Sequence, residues 1–259
     1  MRNAILTIPA ALQFHTSRRD AILCATGFNQ FIKGNIVKVL IFGATGMVGG
    51  AALRACLQAG DVELVQTVGR APTGQKHPKL REVVHAEMWN YQGMEEQLTG
   101  FDACFFCIGV TSSGVSEKTY THLTYDMTLA AATALAPLNP TMVFVYVSGA
   151  GADSSATSRI MWERVRGTTE NALLKLPFRG VYIFRPGMIE PLDGIKSKTA
   201  AYRWFYSLTK PLLPLLRAGL PNYVLSTRQV GQAMLKVVRS GANKRVLESA
   251  DINALSRQA

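Results

Sequence analysis

The sequence predicts an α/β chain: a doubly wound, Rossmann-like parallel sheet with a small carboxyl-terminal lobe. Three observations predict it. Short apolar runs rich in Val, Ile and Phe alternate with helical stretches between residues 36 and 186. Such alternation makes a parallel sheet covered by helices on both faces. The first apolar run leads into a glycine-rich turn, GATGMVGG (43–50), which opens a helical pattern. Finally, right-handed crossovers carry the chain across both faces of the sheet.

The elements follow in order. IVKVLIF (36–42) is a strand, and the helix after the glycine turn runs through Gln58. VELVQTV (62–68) is the next strand, and a half-exposed third strand falls around REVVHAE (81–87). DACFFCIG (102–109) reads as a buried strand, followed by a helix over 118–136. MVFVYVS (142–148) is a strand, 158–176 a helix and GVYIFRP (180–186) a strand. Beyond Pro186 the texture changes, with a helix at 226–241 and a short strand at 244–249. The expected organisation is an extension over 1–34, a main domain over 35–190 and a smaller substrate or partner lobe over 191–259 packed on it.

Composition bounds the function. The 259 residues are 48% hydrophobic and 17% charged, enough to bury a large core and too apolar for disorder. A formal net charge of +11 attracts anions in general. The cations are spread out, with no zinc-finger or helix-turn-helix signature, so no nucleic-acid partner is expected. Cys24, Cys56, Cys104 and Cys107 suggest no disulfide framework, and the default compartment is the reduced cytoplasm. Cys104 and Cys107 lie three apart on one strand, so they point to opposite faces as core residues. Residues 127–152 carry no charge, but Pro137, Asn139 and Pro140 interrupt them, so a helix, a turn and a buried strand are expected instead of a membrane span. Residues 1–34 hold Arg2, Arg18, Arg19 and Lys33 against Asp20, the composition of a targeting presequence. They lack a clean amphipathic repeat and an evident cleavage site, which favours a poorly ordered extension. No His/Cys metal cluster and no GxSxG is present; His15, His77, His85 and His122 are scattered.

The glycine turn carries the chemistry. Gly43, Gly46 and Gly49 stand at GxxGxxG spacing between a strand and a helix, the context a dinucleotide fingerprint requires. Glycine lets backbone N–H groups approach a pyrophosphate, and the helix N-terminus adds positive potential. An acid about 20 residues on would bind a ribose 2′-hydroxyl. Glu63 fits the count but opens its strand, whereas the ribose lies at the other end, which reads VGR with Gly69 and Arg70. Arg70 offers a fork of donors to a 2′-phosphate, so NADP(H) is expected over NAD(H).

These residues make the chain similar to the short-chain dehydrogenase/reductase superfamily. Within it the chain resembles the atypical NAD(P)-binding members grouped with NmrA-like proteins and sugar-nucleotide epimerases. GATGMVGG (43–50), VGR (68–70), CIGVT (107–111), YVSGAGAD (146–153), RGTTE (166–170) and FRPG (184–187) carry the likeness over roughly 36–190. The resemblance implies that Gly43, Thr45, Gly46, Met47, Val48 and Gly49 cradle the pyrophosphate. It implies that Arg70 holds the adenosine phosphate and that Gly109 and Val110 flank the cofactor. Ser148 falls where the family has a substrate-facing hydroxyl, the catalytic candidate. Pro186, Gly187 and Met188 fall against the nicotinamide. Relatives pair through helices corresponding to 118–136 and 158–176, which implies a possible homodimer.

One departure stands out. The family's YxxxK pair falls on Trp162 and Arg166. Four residues apart, they share a helical face and a cleft. An arginine can bind ribose hydroxyls as the lysine does, but a tryptophan has no titration useful for general acid catalysis. Glu163, Tyr120, Tyr125 and His122 are alternative proton donors that nothing in the sequence aims at the cleft. Two functions stay open: an NADP(H)-dependent oxidoreductase or epimerase with an altered proton donor, and a non-catalytic NADP(H) sensor. A third reading places 202–224, which mixes aromatics, leucines and cations, on a membrane surface; that the same residues line a substrate pocket is the favoured reading.

Overall fold

The computed structural model describes residues 36–192 and 223–258. The expected extension over 1–34 and all but the end of the 202–224 segment lie outside the described residues.

The chain alternates strand and helix as its apolar runs require. β1 (Val37–Phe42) leads through the glycine turn to α1 (Met47–Gln58), then β2 (Val62–Gly69) and the half-exposed β3 (Leu80–Val84). A short α2 (Glu95–Leu98) precedes β4 (Ala103–Phe106). The helix expected over 118–136 is interrupted: α3 (Glu117–Thr121) passes through a π-helical turn (His122–Asp126) into α4 (Met127–Leu138). Ser116 caps α3 by accepting from the Thr119 N–H. Next come β5 (Val143–Val147), α5 (Met161–Leu173) and β6 (Gly180–Arg185), then short β7 (Met188–Glu190) and β8 (Val224–Ser226). α6 (Thr227–Ser240), β9 (Val246–Glu248) and α7 (Ser249–Ser256) complete the described chain.

A seven-stranded sheet runs β3-β2-β1-β4-β5-β6-β9, every pair parallel, and β7 pairs with β8 apart from it. The chain starts in the middle, works outward one way and then the other. The switch point therefore lies between β1 and β4, where open α/β sheets leave a crevice at their carboxyl edge.

Strand periodicity sorts the core. Val39, Ile41, Phe105 and Val145 face α1 and α6, while Leu40, Phe42, Phe106, Phe144 and Tyr146 face α4. Phe42 stacks on Phe106, ring centres 5.4 Å apart. Cys104 faces the α4 side and Cys107 packs on the α1 side, as expected of their spacing.

Residues 223–258, expected within a small lobe packed on the main domain, join its layers: β9 pairs with β6, and α6 lies on α1 in the main helix layer. The physical reason is Gly231: a Cβ there would stand 2.8 Å from the Ala51 carbonyl oxygen, so only glycine lets the two helices approach this closely. Arg239 adds a bidentate bond to Asp61, at 2.6 and 2.8 Å. Among the described residues no helix is long and apolar enough to cross a membrane.

Candidate active site

The turn after β1 depends on its glycines. Gly43 holds φ +79°, and a Cβ there would stand 2.9 Å from the backbone of Cys107 and Ile108. The loops after β1 and β4 are thus pressed together. Gly49 is tighter still: its Cβ would meet the Gly43 oxygen at 2.2 Å. The Gly46 N–H donates to the Gly43 oxygen at 2.9 Å and closes the turn. Gly46 then serves as the N-cap of α1, with no side-chain acceptor for the first-turn N–H groups and no acid in that turn. Orphan N–H donors at a helix N-terminus, with no carboxylate competing, fit a pyrophosphate.

Above this turn, at the switch point, lies a cleft of about 650 Å³, within the ordinary size of a ligand site. Met47 and Val48 line it from α1, and Gly109 and Val110 from the loop after β4. Val147 and Ser148 come from β5 and its end, Pro186 and Gly187 from the end of β6. Trp162 and Arg166 enter from α5, on one face as their spacing predicts, and Tyr120 enters from α3.

The α5 side is closely fitted. The Arg166 Nε donates to the Tyr120 hydroxyl oxygen at 3.0 Å, and one terminal nitrogen reaches the Val147 carbonyl at 3.5 Å. Burial works against the Arg166 charge, but the surrounding Tyr146, Tyr120 and Glu170 outweigh it and hold the guanidinium protonated. Trp162 packs its ring edge on the loop after β5: a Cβ on Gly151, at φ +92°, would stand 3.1 Å from the ring.

Ser148 is engaged on its other side. Its hydroxyl donates to Glu170 Oε1 at 2.5 Å. The buried Glu170 carboxylate also accepts from Arg185, through Nη2 and from Nε at 3.1 and 3.2 Å. Arg185 reaches Glu248 at 3.2 Å and the Ser154 hydroxyl at 2.7 Å. A buried pair of charges survives only with its hydrogen bonds satisfied, and these contacts satisfy it. Ser148 therefore keeps lone pairs for a ligand while its proton is committed.

Other expected residues fall as follows. Gly43, Thr45, Gly46 and Gly49 form the turn beneath the cleft. Arg70 is exposed just past β2, with no partner among the described residues. Met188 opens β7 beside Val224, and its neighbour Ile189 lines the cleft in its place. His122 is exposed, paired with Asp126 at 3.0 Å and stacked on Trp89, away from the cleft. Glu163 accepts from the Ser158 hydroxyl at 2.7 Å, and Tyr125 sits in the π-turn. Burial pushes the thiols of Cys56, Cys104 and Cys107 upward, so none of the three is a ready thiolate. No group of metal ligands occurs among the described residues. Sequence reasoning missed the Tyr120–Arg166 contact, the Glu170–Arg185 pair, and Thr111, Ser112 and Ala150 in the cleft wall. No spacing rule links residues 46 apart on different helices.

The pattern of the NAD dependent epimerase/dehydratase family matches residues 39–162. That match spans just under half of the chain; the chain belongs to the family of the fmp52 proteins. The fold is the Rossmann-like α/β fold that short chain dehydrogenase structures also have. "Protein fmp52, mitochondrial" of Aspergillus clavatus is 30% identical over 164 residues, covering 60% of this chain and 67% of that protein. "Protein FMP52, mitochondrial" of Eremothecium gossypii is 26% identical, covering 86% and 98%. Among solved structures, the Bordetella bronchiseptica enzyme WbmF in complex with NAD+ superposes with a TM-score of 0.60 at 16% identity, covering 87% of this chain and 79% of its own. A short chain dehydrogenase from Burkholderia cenocepacia in complex with NADP gives 0.58 at 13% identity, covering 86% and 92%. At these identities the superpositions speak for the fold.

Proposed function

We propose that the chain is an NADP(H)-dependent oxidoreductase or epimerase. The observation that carries this reading is the glycine turn: orphan N–H groups at the start of α1 open beneath a cleft at the sheet's switch point. The family and the neighbours that hold NAD+ or NADP support a nicotinamide dinucleotide. NADP(H) is favoured because Arg70, with no partner among the described residues, stands at the end of β2, where a ribose 2′-phosphate would lie.

The bound dinucleotide supplies hydride chemistry. In this reading Gly43 to Gly49 bind its pyrophosphate, with Met47 and Val48 in contact. Gly109 and Val110 bound one side of it, and Pro186, Gly187 and, in place of Met188, Ile189 stand at the nicotinamide end. Arg166 has donors left for ribose hydroxyls, Trp162 closes the side wall, and Ser148 accepts from the substrate. A second reading, a cofactor sensor without turnover, draws on Trp162, which removes the usual proton donor. The relatives named mitochondrial, with the basic composition of residues 1–34, favour a mitochondrial targeting role for that segment over a cytoplasmic location.

Titration with NADPH and NADH, followed by tryptophan fluorescence, tests the assignment. NADPH is expected to bind more tightly, and Arg70→Ala to weaken NADPH by about tenfold, the size of one charge-assisted contact, with NADH unaffected. Equal loss for both nucleotides, or none for either, would remove the 2′-phosphate reading.

A further inference from the structure

We infer that Tyr120 is the proton donor of this site, paired with Arg166 across two helices in place of the helical Tyr and Lys that the chain lacks. The inference rests on the nucleotide reading above.

The candidates in the cleft narrow by chemistry. Trp162 has an indole N–H that does not titrate in the useful range. Ser148 has its proton committed to Glu170 at 2.5 Å. Arg166 stays charged and relays nothing. Thr111 and Ser112 carry ordinary alcohols on the cleft's outer wall. His122 and Glu163 are engaged elsewhere, with Asp126 and with Ser158. Tyr120 remains. Its phenol oxygen accepts from the Arg166 Nε at 3.0 Å, and its own hydrogen has no acceptor among the described residues. The side chain is 1% exposed and lines the cleft, so a substrate filling that space would come against it.

The arrangement suits general acid chemistry. The Arg166 guanidinium stands directly against the phenol oxygen, the atom from which the proton would leave. Arg166 is fixed in turn by the Val147 carbonyl and by its place on α5. Tyr120 lies in the last turn of α3, one residue before its end at Thr121 and next to the π-turn His122–Asp126. Such turns interrupt helices at functional sites, because the inserted residue re-aims the side chains around it.

In the reducing direction the substrate carbonyl carbon gains a hydride, with reduced dinucleotide as the reductant. The carbonyl π electrons move onto oxygen, and that oxygen takes the Tyr120 proton, giving an alcohol. The phenolate left against Arg166 recovers a proton from solvent, so each turnover consumes one hydride and one proton. Oxidation runs the same transfers backwards.

The test uses the full chain and two probes. The first is NADPH oxidation with 9,10-phenanthrenequinone and a small panel of aldehydes and ketones. Tyr120→Phe is expected to lower turnover by roughly 10²–10⁴-fold, the contribution of a positioned acid, while Tyr125→Phe, in the π-turn and not among the cleft-lining residues, retains it. The second is equilibrium binding of isobutyramide, an unreactive carbonyl, to protein loaded with NADP+. Tyr120→Phe is expected to weaken it by about tenfold, the loss of one hydrogen bond, with NADPH affinity unchanged. Wild-type protein that binds NADPH but reduces none of the carbonyls overturns the proposal, as does a Tyr120→Phe variant that matches wild type. A variant that loses NADPH affinity together with turnover makes Tyr120 structural and overturns it too. If wild-type protein binds neither nucleotide, it is the cofactor reading that fails.

Discussion

The two sides of the cleft are built differently. The proposed pyrophosphate side is one continuous stretch, Gly43 to Gly50, in which backbone geometry does the work. The substrate side draws Tyr120 from α3, Ser148 from the end of β5, and Trp162 and Arg166 from α5. A backbone site is specified by where side chains are missing. A side-chain site is specified by which groups meet, and the meeting depends on the whole sheet and its helix layers. The first can be kept while the second is rebuilt: the glycine turn is present, and Trp162 and Arg166 stand in the cleft wall on α5 with Tyr120 against Arg166.

That contrast can be broken from either side. The largest effect should come from the support beneath the substrate side. Glu170→Ala strands the buried Arg185 guanidinium and frees the Ser148 hydroxyl. The expected cost is about 3–5 kcal/mol of stability, as when one partner of a buried ion pair is removed. Chemical denaturation would measure it, and a cost within a surface mutation's range would mean that Glu248 and Ser154 suffice for Arg185.

Gly49→Ala tests the backbone side. Its Cβ would sit 2.2 Å from the Gly43 oxygen, so the turn must shift. About 1–3 kcal/mol of destabilisation is expected, with NADPH affinity lost in the protein that still folds. Thermal melts with and without NADPH would separate the two; a variant stabilised by NADPH as strongly as wild type would show that the turn does not hold the nucleotide.

The smallest effect concerns the loop between the two. Asp153 accepts from the Ser155 hydroxyl and from the N–H groups of Ser155, Thr157 and Ser158. These bonds, the Ser155 hydroxyl first, hold its carboxyl down at about 2. A depressed folded value means that the stabilisation is present above the ordinary carboxylate range, near 4, and is lost as pH falls through about 2. Asp153→Asn should therefore lower the melting temperature slightly at neutral pH, and the gap should close in acid. A gap independent of pH would show that the loop does not rely on the carboxylate.

The same contrast explains what the sequence made legible. β1, the glycine turn and α1 could be read because strand, turn and helix signals lie in one uninterrupted run. The buried strands were legible because β5, for example, alternates residues between two cores. α2, β7 and β8 are three or four residues long, too short for periodicity to register. The role of α6 was obscured because its partner α1 lies far back in the chain, and the glycine that permits their contact, Gly231, reads locally as a weak point in a helix. Tyr120 was visible as a tyrosine on a helix. Only the fold sets its hydroxyl 3.0 Å from Arg166.

A crystal structure of the NADPH complex tests the central claim most directly. The account predicts the pyrophosphate against the first-turn N–H groups of α1, the 2′-phosphate at Arg70, and the nicotinamide in the cleft beside Tyr120 and Arg166. NADPH bound elsewhere, or crystals that take up none at saturating concentration, would contradict it.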